Sequence, residues 1–235
     1  MKKVKLFCLA HAGGSAMYYC KWKKMLSDSI ELIPLELAGR GNRITENFYN
    51  NCNEAINDIL KQVSGKLDNS EFAFWGHSMG TIITYELARK LKELKEEEPV
   101  CMFFSGRCPP HIIKKEEKIH ILPNNEFINK IKEYGGMPDE VLKEEQLMKL
   151  VTPILKADFK LIDDYKYVND GFKFNCDIVA LIGKDDKGGA TKEFREWSKY
   201  TNGNCKIYEL EGGHFYLNDR EDEILNIINQ KLVFQ

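Results

Sequence analysis

No apolar run in this chain of 235 residues approaches the roughly 18–20 residues that a membrane-crossing helix requires. No membrane partner is therefore expected. The first residues, "MKKVKLFCLA", place lysines before apolar positions as a secretory signal does. Lys5 interrupts that stretch and leaves it too short, so it reads as a first strand. A surplus of either charge is also lacking. With a formal net charge of −2 and a pI near 6.3, the chain offers no basic footprint for nucleic acid. Cysteines are present but ordered spacing is not. Cys8, Cys20, Cys52, Cys101, Cys108, Cys176 and Cys205 form an odd, scattered set with no C-x-x-C pair. That argues against a zinc site or a disulfide framework and fits buried free thiols in a reducing cytoplasm. Internal repeats and low-complexity tracts are absent as well.

What is present is globular. Hydrophobic residues make up 43% and aromatics 11%, and the length suits a single α/β domain over residues 1–235. Short apolar runs recur as "VKLFCLA" (4–10), "IELIPLE" (30–36), "FAFWG" (72–76), "VCMFFSG" (100–106), "DIVALIG" (177–183) and "KIYELEG" (206–212). Several are apolar almost without interruption, as parallel strands covered on both faces are. Helical patterns fall between them. Ile83, Leu87, Leu91 and Leu94 share one helix face, and "DREDEILNIINQKL" opens on acids that suit a helix N-terminus. Alternating strands and helices predict a mostly parallel, doubly wound sheet. From about 122 to 167 there are only helical patterns. This block predicts a helical insertion over the strand ends, where open α/β sheets bind ligands.

The stretch "EFAFWGHSMGTIITYE" (71–86) carries the chemistry. Gly76-His77-Ser78-Met79-Gly80 is G-x-S-x-G between an apolar strand and an amphipathic helix. Such a sharp turn lifts the serine hydroxyl above the sheet and needs tiny neighbours two positions away. Chance alone supplies the pentapeptide in somewhat under about a tenth of chains this long. The strand-turn-helix context separates a nucleophile from an inert turn.

A serine needs a base. Of five histidines, His77 adjoins Ser78 with its side chain directed away, and His111 and His120 lie in a Lys-rich, solvated connection. His214 follows two glycines in "ELEGGHFYLND", past a strand and before the final helix. A loop there can carry its imidazole across the strand ends. The acid should follow a late strand, and "DIVALIGKDDK" offers Asp185 and Asp186. Asp186 is preferred, with Asp185 as the alternative. For the oxyanion, the expected donors are the backbone N–H groups of Met79 and Ala12, the latter in the glycine-rich "LFCLAHAGGSA". The same loop lacks the G-x-G-x-x-G and G-x-x-x-x-G-K-[ST] patterns of a phosphate cradle.

Taken together, the chain resembles the type II (external, editing) thioesterases of nonribosomal peptide and polyketide synthases, a branch of the α/β-hydrolases. The similarity runs through "LFCLAHAGGSAMYYCKW", "IELIPLELAGRGNR", "FWGHSMGTIITYELA", "FFSGRCPP", "GGMPDEVL", "LKADFKLIDDYKY", "GKDD" and "EGGHFYL". The resemblance implies Ser78 as nucleophile, Asp186 as acid and His214 as base, with oxyanion donors at Ala12 and Met79. It also implies a helical lid at about 122–167 and an acyl-loaded carrier protein as partner, with no metal or redox cofactor. Ala10 and Ala38 stand where the family usually has proline.

Met17, Tyr18, Tyr19 and Trp22 could line an acyl site, although their spacing suits a buried helix face better. Arg40 and Arg43 could touch a carrier or form structural ion pairs. Lys114, Lys115 and Lys118 alternate with Glu116 and Glu117, so charge does not reveal a docking face. A monomer suffices for this chemistry. The rival readings are an esterase or lipase on free esters, a chain-releasing fatty acyl thioesterase, and a non-catalytic binding module on the same scaffold.

Overall fold

The computed structural model describes residues 3–94, 98–112, 118–135, 139–187 and 191–233. Six strands form one sheet: β1 (Val4–Leu9), β2 (Ile30–Pro34), β3 (Phe72–His77), β4 (Cys101–Ser105), β5 (Asp177–Gly183) and β6 (Cys205–Leu210). Each begins and ends within about two residues of the apolar run that predicts it. The spatial order is β2-β1-β3-β4-β5-β6, and every neighbouring pair is parallel.

Alternation along the strands divides the core in two. Phe7, Leu9, Phe72, Phe74, Met102 and Phe104 face helices α1 (Cys52–Ser64) and α2 (Met79–Glu93). Leu6, Cys8, Ala73, Trp75, Cys101 and Phe103 face the 3₁₀ turn Ala16–Lys24 and, later in the chain, the helix Glu221–Val233. Both faces are therefore apolar, which is why the strand sequences do not alternate. α1 starts where Asn51 accepts the Glu54 N–H at 3.0 Å, an N-cap that satisfies one orphan donor.

Between β4 and β5 the regular elements among the described residues are helical, with α3 (Asn124–Tyr134), α4 (Asp139–Lys143) and α5 (Glu145–Asp163). Ile119, Phe127, Ile131 and Leu155 give this region a small core of its own. The short α6 (Thr191–Phe194) and the long C-terminal α7 (Glu221–Val233) complete the helices.

The chain order reverses across β1 and β3, since β1 leads outward to β2 and β3 leads the other way to β4. A crevice opens at such a switch point, outside the carboxyl ends of the strands. The loops after β1 and after β3 flank it, and they hold Ala12 and Ser78.

Candidate active site

Ser78 sits at φ +54°, ψ −113°, one of two non-glycine residues with positive φ among those described. This is the sharp strand-to-helix turn that the pentapeptide predicts, and its glycines have a steric reason. A Cβ on Gly76 would collide with the Gly80 carbonyl and lie 2.6 Å from Thr84 Oγ1. On Gly80 it would strike the Leu9 carbonyl and lie 2.8 Å from Ala10 O. Only hydrogen fits between the helix and the strands. The turn is further pinned by the Ser78 N–H to Ser105 O at 2.8 Å and by Thr81 Oγ1 donating to Gly76 O at 2.8 Å.

Two loops from the far side of the sheet meet this serine. His214, after β6, brings Nε2 to 3.0 Å from Ser78 Oγ. Its Nδ1 lies 2.9 Å from Asp186 Oδ2, after β5. An acceptor carboxylate at Nδ1 fixes the proton there and leaves the Nε2 lone pair aimed at the hydroxyl. Asp186 is buried, whereas Asp185 is exposed and its N–H is held by Gly212 O at 3.0 Å. Geometry thus separates the two acids that sequence leaves open. Gly183 allows the β5 and β6 loops to close on each other, because an added Cβ there would run into the Gly212 and Gly213 carbonyls.

The predicted donors also flank Ser78. Met79 opens α2, so its N–H has no intrahelical acceptor. Ala12 lines the same cavity as Ser78 and His214, and among the described residues its N–H meets no protein acceptor. The cavity holds about 220 Å³. Ile112, Ile119, Ile131, Leu155, Phe159 and Ile162 give it an apolar wall, drawn largely from the helical region between β4 and β5. Among the described residues no group of three or more His, Cys, Asp or Glu is placed to hold a metal ion.

A thioesterase domain model matches residues 4–232. The chain belongs to the thioesterase family. It is 33% identical over 230 residues to the gramicidin S biosynthesis protein GrsT of Aneurinibacillus migulanus, covering 98% of this chain and 89% of that protein. It is 30% identical to the human medium-chain S-acyl fatty acid synthase thioesterase, covering 94% of this chain and 83% of that one. The crystal structure of ClbQ from the colibactin NRPS/PKS pathway superposes with a TM-score of 0.94 at 32% identity, covering 98% and 97% of the two chains.

The structure also places the other side chains that the sequence of this thioesterase singles out. Tyr19 and Trp22 are fully buried in the core behind β1, Met17 is exposed, and none of Met17, Tyr18, Tyr19 and Trp22 lines the cavity. The core reading applies to Tyr19 and Trp22, within a 3₁₀ turn rather than an α-helix. Both arginines form structural ion pairs, Arg40 with Asp158 and Arg43 with Asp58 and Glu46. His120 is not solvated, since its Nδ1 lies 2.6 Å from Asp163 and its ring is largely covered. Lys118 pairs with Asp164 at 2.5 Å, while Lys114, Lys115, Glu116 and Glu117 lie outside the described residues. No described helix is long and apolar enough to cross a membrane.

Sequence reasoning gives His77 no role, yet it is fully buried directly behind the site. Its Nδ1 lies 2.8 Å from Ser105 Oγ, which lies 2.5 Å from Tyr216 OH. Its ring packs 5.2 Å from that of His214. Burial pushes its pKa well down. His11 behaves alike: desolvation, then His214 and Arg40, push its pKa down to about 4. An unfolded histidine titrates near 6.5. Between about pH 6.5 and 4 the unfolded chain binds the extra proton, so stability falls as pH drops through that window. For His11 alone, allowing for its partial exposure, the loss is about 2–3 kcal/mol. Urea titrations at several pH values should show it, and His11→Gln should flatten the slope. An unaltered slope in that variant would remove His11 from the account.

Proposed function

We propose that this thioesterase hydrolyses acyl groups from the phosphopantetheine arm of carrier proteins, clearing stalled or misprimed chains from a nonribosomal peptide or polyketide synthase. The observation that carries the reading is the Asp186–His214–Ser78 series, hydrogen-bonded at 2.9 and 3.0 Å, with Ser78 and His214 lining a cavity that has an apolar wall. The likeness to GrsT and to ClbQ supports the choice of carrier-bound substrate.

In this mechanism Ser78 Oγ attacks the thioester carbonyl carbon and passes its proton to His214 Nε2. Asp186 holds Nδ1–H and stabilises the imidazolium. The carbonyl oxygen, now anionic, takes hydrogen bonds from the Ala12 and Met79 N–H groups. The C–S bond breaks, His214 returns the proton to the departing thiol, and the acyl group stays on Ser78. Water, deprotonated by His214, then attacks the ester carbonyl. The bond to Ser78 Oγ breaks, His214 returns the proton to that oxygen, and the acid is freed with the enzyme restored. A thiolate is a good leaving group, so nucleophile activation and oxyanion stabilisation carry most of the demand.

The helices α3 to α5 serve as a lid over the acyl site, within a single hydrolase domain. One chain supplies every group required, so a monomer suffices. The seven free cysteines, four of them buried, suit a reducing cytoplasm. A second reading, release of fatty acyl chains from a fatty acid synthase, draws on the likeness to the human medium-chain enzyme.

Mass spectrometry of carriers loaded with a panel of acyl groups, run beside acyl-CoA and p-nitrophenyl esters, separates these readings. Carrier thioesters should give a kcat/KM at least about tenfold higher than free esters, roughly 1.4 kcal/mol of selective binding. A preference for the free esters would replace the proposal with a general esterase. The acid is tested separately. Asp186→Asn should lower kcat by about 10⁴ by favouring the wrong tautomer. Asp185→Asn, exposed and turned away, should stay within about threefold of wild type.

A further inference from the structure

The loop that carries Ala12 is tied to helix α5 by a buried carboxylate. Asp158 Oδ2 accepts the Gly13 N–H at 2.7 Å and Arg40 Nη1 at 2.5 Å, while Oδ1 accepts Arg40 Nη2 at 2.5 Å. Arg40 Nη1 also reaches Gly14 O at 3.3 Å. Both side chains are sealed from water, with Asp158 1% and Arg40 3% exposed. One helical turn before Asp158, Leu155 presses on the same loop. A Cβ on Gly13, at φ +79°, would lie 2.6 Å from Leu155 Cδ2. Beyond the loop, Glu36 Oε1 accepts the Ala16 N–H at 3.0 Å. Gly14 N–H is taken by His11 O at 3.0 Å.

A buried ion pair is a poor device for stability alone, because well-packed apolar residues of similar size do as well or better. This pair does something that apolar residues do not. It orients a backbone N–H next to the one assigned to the oxyanion.

We propose that Asp158 is a positioning residue, holding the 11–14 loop through Gly13 so that the Ala12 N–H stays directed at the developing oxyanion. The inference rests on the proposed thioesterase mechanism and adds to it a link between the cavity-wall helix and the chemistry. Asp158 touches no reacting atom. Its effect should appear in the transition state and not in substrate binding, since the ground-state carbonyl demands less of the oxyanion donors.

The test pairs Arg40→Met with Asp158→Leu, which removes both charges and strands neither. Wild type and Ser78→Ala are first compared on an acyl-pantetheine thioester. Equal rates there would sink the mechanism, whatever Asp158 does. For the folded double variant, kcat should fall about 10²–10³-fold with KM within about threefold. Affinity for an alkyl boronic acid, which forms a tetrahedral adduct with serine, should fall in step with kcat. A folded double variant with kcat and boronate affinity within about threefold of wild type would overturn the role and leave the pair purely structural. Should the double variant not fold, Asp158→Asn decides. It keeps an acceptor for Gly13 but loses the charge assistance, so both quantities should drop about tenfold, and no change in either rejects the proposal.

Discussion

Replacing Ser78 with alanine should lower thioester hydrolysis by at least about 10⁴-fold with little change in melting temperature. The two halves of this expectation have separate grounds. Without Oγ, His214 has nothing to activate and no acyl-enzyme forms, so only binding and oxyanion stabilisation of direct water attack remain. Stability is spared because the Ser78 side chain caps no helix N–H, although it occupies the N-cap position of α2. The usual loss of about 1 kcal/mol for removing a capping hydroxyl therefore does not apply. Time courses on an acyl-carrier protein, read by intact mass, together with a thermal melt, check both. Activity retained to within tenfold would dismiss Ser78 as nucleophile.

Gly80→Ala should produce the opposite pattern, with destabilisation first and inactivation following from it. The added methyl would meet the Leu9 carbonyl and lie 2.8 Å from Ala10 O. These are backbone atoms at the end of β1, which is paired with β2 and β3. They cannot turn aside as a flexible side chain would, so α2 must move off the sheet or β1 must shift. Overpacking of this kind costs about 3 kcal/mol or more, which lowers the melting temperature by roughly 6–12 °C in a chain of this size. Gly213→Ala is the control for stability, since its Cβ would meet nothing within 4 Å. Equal melting of the two variants would refute the close-packing explanation of the pentapeptide.

The strands were legible because a parallel sheet covered on both faces leaves apolar runs that polar connections interrupt. The turn at Ser78 was legible because its backbone admits glycine alone at two fixed offsets. His214 and the paired aspartates followed from chain order, with Asp186 preferred, and the fold buries Asp186 while leaving Asp185 exposed. Which of two adjacent residues turns inward depends on one loop torsion that no sequence period encodes. Asp158 was missed for a different reason. Within α5, Val151, Leu155, Phe159 and Ile162 form one apolar face, and Asp158 lies on it, three positions after Leu155 and four before Ile162. A lone acid on an apolar helix face is a signal of a buried partner. Its partner, Arg40, lies 118 residues away, and such a distance leaves no local trace. The chain of Ser105, His77 and Tyr216 was hidden likewise, since buried polar residues that pair with one another resemble ordinary core positions until the sheet aligns them.

The order of the strands has a consequence for how the molecule comes into being. The serine leaves the ribosome 136 residues before the imidazole it meets, and that imidazole arrives on the loop behind β6, the last strand among the described residues and an outer one. A half-synthesised chain therefore carries a hydroxyl with no means to use it. On the proposed mechanism, the chain can cut only once that outer strand has joined the sheet.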